Sequence, residues 1–329
     1  HGRIQRFMCR FCHTSCSDQT FSIHYAEKIR IPYKRLFELL CRGAGIRGIA
    51  RALKVSHQLI LNRVSRLARQ ALAIHSKLLA GLSLSETLVA DGFESFVGSQ
   101  YFPNNIHLLA GQRSQFLYAF DYAHLKRKGR MSEEQRIRRD QLWERFISGR
   151  RTISGSFSCL IEVAEQLIRG SSEASVQLIT DEKPEYRRII NRSKYLSDLR
   201  HSGAFSHLRV SSQKARTKQN RLFSVNYLDR EIRKDCANHV RETMQYSRNT
   251  NNCMERLAIY RLYHNYFKRY RIEPGKREQR SHGEVAGVGK GAILRELSTM
   301  FRVRRMLSRT RLSFSDALIW LRGLATAPG

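Results

Sequence analysis

No stretch of the chain stays apolar for the roughly 20 residues that a bilayer-crossing helix needs. No single amphipathic helix gathers the positive charge either, so neither a membrane span nor a surface anchor is expected. Acidic residues are scarce: 28 Asp and Glu face 59 Lys and Arg, a formal net charge of +31. The excess is spread along the chain, since residues 1–80 carry 15 cationic side chains against 3 acids and residues 265–329 carry 14 against 5. That imbalance points to a polyanionic partner, most simply nucleic acid. Paired cysteines are lacking as well. The seven Cys are an odd number, and only Cys9, Cys12 and Cys16 cluster while Cys41, Cys159, Cys236 and Cys253 are scattered. This argues for a reducing compartment and against a disulfide framework. No signal peptide is recognisable, and because residue 1 is His rather than Met the true N-terminus is expected upstream. At 329 residues and 41% hydrophobic content, about two domains with a buried core are expected.

One absence is local. Between Lys77 and Arg113 there is no Lys or Arg, only Glu86, Asp91 and Glu94. Thr87–Ala90 reads as a short buried strand ending in Asp91-Gly92, an acid at a tight turn, with Phe93–Val97 as a second extended piece. A carboxylate at the end of a buried strand, in a window cleared of cations, suits a metal ligand; the plain alternative is a hairpin turn.

Taken in order, residues 1–30 form an arm with Cys9-x-x-Cys12, half of a zinc ribbon and a candidate Zn²⁺ site. The other pair is expected upstream, and Cys16, His13 or His24 offer a completion with no recognised spacing. Residues 31–80 read as a small all-α unit. Tyr33–Cys41 is a helix. Ile46, Ile49, Ala50 and Leu53 share one face of the next, Lys54-Val55-Ser56 turns, and Ser56 caps a further helix with Ile60, Val64 and Leu67 inward. Small Ala50 permits the close crossing of a helix-turn-helix. Its outward side chains, His57, Gln58, Asn62, Arg63 and Arg66, are candidates for contacts to phosphates and base edges. From residue 84 the pattern becomes strand-like: Ile106–Ala110 and Gln115–Tyr122 complete an antiparallel meander. Helices follow at 132–147 and Gly155–Ile168. Val176–Thr180 is a second buried strand ending in an acid, Asp181, with Pro184 opening the next helix. Phe205–Val210 is a last strand, then come helices over Asn226–Tyr246 and Asn251–Tyr266. The tail, 273–329, begins as a Gly-rich, charged and flexible stretch and ends in helices near Leu294–Leu307 and Ser315–Leu321.

Three strands, helices, a strand ending in Asp, a fifth strand and long helices are the order of the RNase H-like fold, an α+β mixed five-stranded sheet flanked by helices, here over 84–272. Three carboxylates from separate elements repel one another and stay ionised together only around divalent metal. The segments VADGFESF, ITDEKPEYRR and RNTNNCMERLAIYRLYHNYFKRYRI, with Asn252, Glu255, His264, Asn265 and Lys268 in the last, resemble the DDE transposases of bacterial insertion sequences over residues 1–272. The resemblance implies a metal triad of Asp91, Asp181 and Glu255 holding two Mg²⁺ or Mn²⁺ ions for in-line phosphoryl transfer. It further implies that Asn252, His264 and Lys268 touch DNA, and that the enzyme is a cytoplasmic, nucleoid-associated homo-oligomer on double-stranded element ends and target DNA. Asp121 reads as structural. Asp229 and Glu231 are substitutes for Glu255 that lack its Asn/His/Lys company. Runs such as Lys126-Arg127-Lys128 suit either solvent or phosphate. A helix-turn-helix regulator without catalysis, and a nuclease without strand transfer, are the alternatives.

Overall fold

The computed structural model describes residues 4–146, 149–211, 213–240, 243–270 and 279–326. It begins with a small antiparallel hairpin, β1 (Arg6–Met8) and β2 (Ser15–Ser17). Three helices follow: α1 (Tyr33–Leu40), α2 (Ile46–Ala52) and α3 (His57–Leu79). The meander is β3 (Leu88–Phe96), β4 (Pro103–Gly111) and β5 (Leu117–His124). Next come α4 (Glu133–Arg145), α5 (Ile153–Arg169), β6 (Val176–Asp181), α6 (Pro184–Arg192), α7 (Lys194–His201) and β7 (Phe205–Val210). The chain closes with α8 (Phe223–Asp235), α9 (Thr250–Tyr266), α10 (His282–Ala286), α11 (Lys290–Ser298) and α12 (Phe314–Leu321).

The large sheet has the order β5-β4-β3-β6-β7, with β3–β4 and β4–β5 antiparallel and β3–β6 and β6–β7 parallel. This is the RNase H-like mixed sheet expected from the sequence. α5 covers β4 and β5, while α8 packs against β3 and β4. The central β3 touches both halves of the sheet, so Leu88, Val89 and Ala90 are fully buried.

Several expectations need correction. Asp91-Gly92 is not a turn: β3 runs through it, paired with β4 from Leu88 opposite Gly111 to Phe96 opposite Pro103. A Cβ at Gly92 would meet the Asn105 amide of β4, which would have to move aside. The helix expected over Asn226–Tyr246 ends at Asp235. The N-terminal arm forms the β1–β2 hairpin. The stretch expected to be flexible lies partly outside the described residues (271–278), but from Ser281 it is ordered. Ser281 and Glu284 form a capping box on α10, and His282 is fully buried, donating from Nδ1 to the Ser114 carbonyl at 2.8 Å.

The helical N-terminal part and the C-terminal tail share one hydrophobic core with the sheet, continuous from Ile23 to Leu324. α3 packs lengthwise on α9 and also meets α11 and α12. The Gln70 amide donates to the carbonyls of Met300 and Val303 at 2.9 and 2.5 Å, sewing the tail to the middle of α3.

Candidate active site and nucleic-acid interface

Ala90 of β3 pairs with Thr180 of β6, and β6 ends one residue later, at Asp181. Beyond that point β3 keeps its antiparallel neighbour and loses its parallel one. A crevice therefore opens at the carboxyl end of β6, where open sheets of this kind bind ligands. Asp91 and Asp181 lie side by side at its mouth, with 21% and 9% of their side chains exposed. Each carboxylate is fixed by local backbone: Asp91 Oδ1 accepts from Gly92 N at 2.7 Å, and Asp181 Oδ1 from Lys183 N at 3.0 Å. The Lys183 ammonium reaches both acids, 3.6 Å from Asp91 Oδ1 and 3.2 Å from Asp181 Oδ2. Burial raises the pKa of Asp91, and the neighbouring Asp181 pushes the same way while Lys183 opposes it.

The expected third acid is elsewhere. Glu255 lies on α9 with only 2% exposure, both carboxylate oxygens within 2.7 and 2.8 Å of Arg322 Nη1. Arg322 also donates to Ser65 of α3, and from Nη2 to the Asn252 side-chain Oδ1 at 3.0 Å. Glu255 and Asn252 thus tie α9 to the segment after α12. The acid that lines one cleft with Asp91 is Asp229, on α8, together with Leu108, Arg216, Val225 and Asn226. Arg233 holds Asp229 there: its Nε is 2.6 Å from Asp229 Oδ1, and its Nη2 donates to the Glu94 carbonyl of β3 at 2.9 Å. The spacing Asp229-x-x-x-Arg233 was visible in the sequence, but only the packing of α8 on β3 shows where it points. Among the described residues no group of three His, Cys, Asp or Glu is spaced to hold a metal ion.

The rest of the α9 motif is structural. His264 is fully buried, donates to the Gln115 carbonyl at 2.9 Å and stacks on His282 at 4.0 Å between ring centroids. Asn265 clasps the backbone of edge strand β5, accepting from Leu117 N and donating to Leu117 O at 2.9 and 3.0 Å. Lys268 is committed to Glu231 and Asp235 of α8, and these hydrogen bonds raise its pKa against the pull of burial. Neither His264 nor Lys268 is free to reach DNA. Asp121, read as structural, is buried and held by Arg151 and Ser315.

Helices α2 and α3 are joined by a short turn. Val55 N donates to Ala50 O at 3.0 Å across the turn, and the Ser56 hydroxyl accepts from Leu59 N at 3.2 Å. Ile60, Val64 and Leu67 are fully buried. His57, Gln58 and Asn62 are exposed, but Arg63 and Arg66 turn inward. Arg63 donates to Ile29 O at 2.8 Å, Arg66 to Ile23 O and Tyr25 O at 2.6 and 2.7 Å, and both flank the Glu27 carboxylate. They anchor the strap before α1 rather than face solvent. The cations that do line the concave surface beside His57 are Arg47, Arg51 and Lys54. All three are exposed and make no ion pair with a described residue. Arg47 and Arg51, four residues apart on the polar face of α2, carried the signal the sequence reading passed over.

Cys9 and Cys12 bracket the tip of the β1–β2 hairpin, exposed and free. The Cys12 sulfur lies 3.4 Å from the Thr14 hydroxyl, and hydrogen bonds from Thr14 to the thiolate lower the Cys12 pKa to about 7. His24 is instead committed to Glu27 at 2.8 Å. Cys9 and Cys12 therefore offer two exposed sulfur ligands, half of a tetrahedral zinc set. No protein-family model matches the chain, and no curated protein matches it either. No helix among the described residues is long and apolar enough to cross a membrane.

Proposed function

We propose that the chain is a DNA-cutting and DNA-joining enzyme of the DDE transposase type, acting on mobile-element ends in the bacterial cytoplasm, where oligomers would pair two ends. One observation carries the reading: Lys183 touches both Asp91 and Asp181, so two carboxylates from separate strands converge closely enough to share a single cation. Their donors are all oxygen, which fits Mg²⁺ or Mn²⁺. The ion would sit on Asp91 and Asp181, and we assign Asp229, on the cleft that Asp91 also lines, the supporting place beside them in preference to Glu255. A divalent ion held there would polarise a phosphoryl oxygen and lower the pKa of a bound water or 3′-hydroxyl. The protein's own part is to fix the two strand-borne carboxylates at one end of a rigid sheet, to orient Asp229 through Arg233, and to offer Arg47, Arg51 and Lys54 to the phosphate backbone. His57, Gln58 and Asn62, at the start of α3, are the side chains for base edges. The hairpin thiols fit a Zn²⁺ site completed by a second pair.

The test uses labelled DNA from the flanks of the gene, a target plasmid and Mn²⁺. Joined product, lost in Asp91→Asn and Asp229→Asn while DNA binding persists, is expected. Binding without any metal-dependent cleavage would make the protein a regulator, and cleavage without joining a nuclease.

A further inference from the structure

The ammonium of Lys183 makes polar contacts with three side chains. Besides the two carboxylates, Nζ donates to the Tyr186 hydroxyl at 3.3 Å, and it lies 5.1 Å from that ring's centroid. The backbone of Lys183 is pinned, since its N–H is bonded to Asp181 Oδ1 at 3.0 Å and Pro184 opens α6 immediately after it. The side chain is not: a third of it is exposed, on a stem of four methylenes that can swing outward. The cation at the acid pair is therefore covalently tethered at one end and loose at the other. No other Lys or Arg pairs with Asp91 or Asp181 among the described residues. The sequence around Asp91 is cleared of cations, so the countercharge comes from across the strand pair, two residues after Asp181.

We propose that Lys183 is a built-in place-holder for the metal: it neutralises the repulsion between Asp91 and Asp181 in the metal-free chain and must leave their oxygens when a divalent ion enters. This rests on the reading of that pair as a metal site. An ammonium has no empty orbital for a ligand oxygen, so it can hold the acids together but cannot coordinate and activate a water or 3′-hydroxyl as a metal ion does. Occupancy by Lys183 is thus a resting arrangement. Because both cations claim the same oxygens, metal affinity is set by a competition, and removing the ammonium tips it toward the metal. Each ion pair is weak because Lys183 is a third exposed, and losing both should tighten Mn²⁺ binding about tenfold.

The experiment is Mn²⁺ titration of the full chain by electron paramagnetic resonance and calorimetry, with melting curves in chelator and in Mn²⁺. Lys183→Met should bind Mn²⁺ about tenfold more tightly than the parent, melt lower in chelator and gain more on adding Mn²⁺. Lys183→Arg, which keeps the charge, should bind no more tightly than the parent. Equal affinity in Lys183→Met and the parent, with Asp91→Asn abolishing binding, would overturn the place-holder while leaving the metal pair standing. Mn²⁺ binding by none of them would overturn both. Tighter binding in Lys183→Arg would also refute it, and that variant remains decisive if Lys183→Met fails to fold.

Discussion

The ion pair between Glu255 and Arg322 makes a quantitative demand. Glu255 is 2% exposed, and the Arg322 guanidinium meets both its oxygens within 2.8 Å. Burial raises the pKa of this carboxyl, and hydrogen bonds from Ser65 and Arg322 oppose the shift. Removing one partner of a fully buried pair costs about 3–5 kcal/mol. The Arg322 side chain is 35% exposed, so water screens the pair and the cost of Arg322→Met falls to about 1–3 kcal/mol. Glu255→Gln, which keeps shape and loses charge, should cost about 1–2 kcal/mol. The double variant leaves no buried charge stranded, so its loss should be smaller than the sum of the two by about 1–2 kcal/mol. Urea unfolding of the four proteins at pH 7 reads this directly. Additivity within roughly 0.5 kcal/mol would refute the coupling. The same variants decide the chemistry: Glu255→Gln should bind Mn²⁺ as the parent does. A variant of intact stability that loses the ion would return Glu255 to the metal.

Three further outcomes are expected. Burial pulls His107 and His239 down to about 3 and His124 and His282 to about 4. Each therefore takes up a proton below about pH 6.5 in the unfolded chain but not in the folded one. Stability should fall as pH drops from about 6.5 toward 4, by about 1.4 kcal/mol per pH unit for each such histidine. A urea midpoint that stays flat between pH 7 and 5 would count against this. Arg47→Ala with Arg51→Ala should weaken DNA binding at all sequences and lower the salt slope by roughly one per residue removed, read by titration at several salt concentrations. Arg63→Met should leave that slope unchanged and instead cost about 1–3 kcal/mol, because it strands the Ile29 carbonyl and weakens the Glu27 cluster.

Much of the sheet was legible because its strands are short apolar runs with clear ends. Phe205–Val210 was read to the residue, and Val176–Thr180 to within one. β4 was placed but trimmed at both ends and β5 was placed two residues early, since polar Asn104, Asn105, Asp121 and His124 are buried inside them and broke the expected alternation. The break at Asp91-Gly92 was misread because a glycine in a strand looks like a turn until the Asn105 side chain above it is seen. The third acid failed for a different reason. A histidine, asparagine and lysine near one another at the end of a helix look alike whether they face DNA or clasp an edge strand; here His264 holds Gln115 just before β5, Asn265 clasps β5, and Lys268, just past α9, holds α8. Arg63 and Arg66 were misassigned in the same way, since their carbonyl partners lie more than thirty residues back.

α3 belongs to two parts of the molecule at once. Its first turn shows His57 and Gln58 to solvent, while its later turns are buried against α9, α11 and α12. At 23 residues it is a rod of about 34 Å. On the proposed reading, the offset along the DNA between the bases recognised and the bond cut is measured by a rigid ruler rather than by a swinging linker. Lengthening the rod by one residue would turn the reading end by about 100° relative to the acids, and on that proposal the spacing between terminal repeat and cut site would be written into the pitch of a single helix.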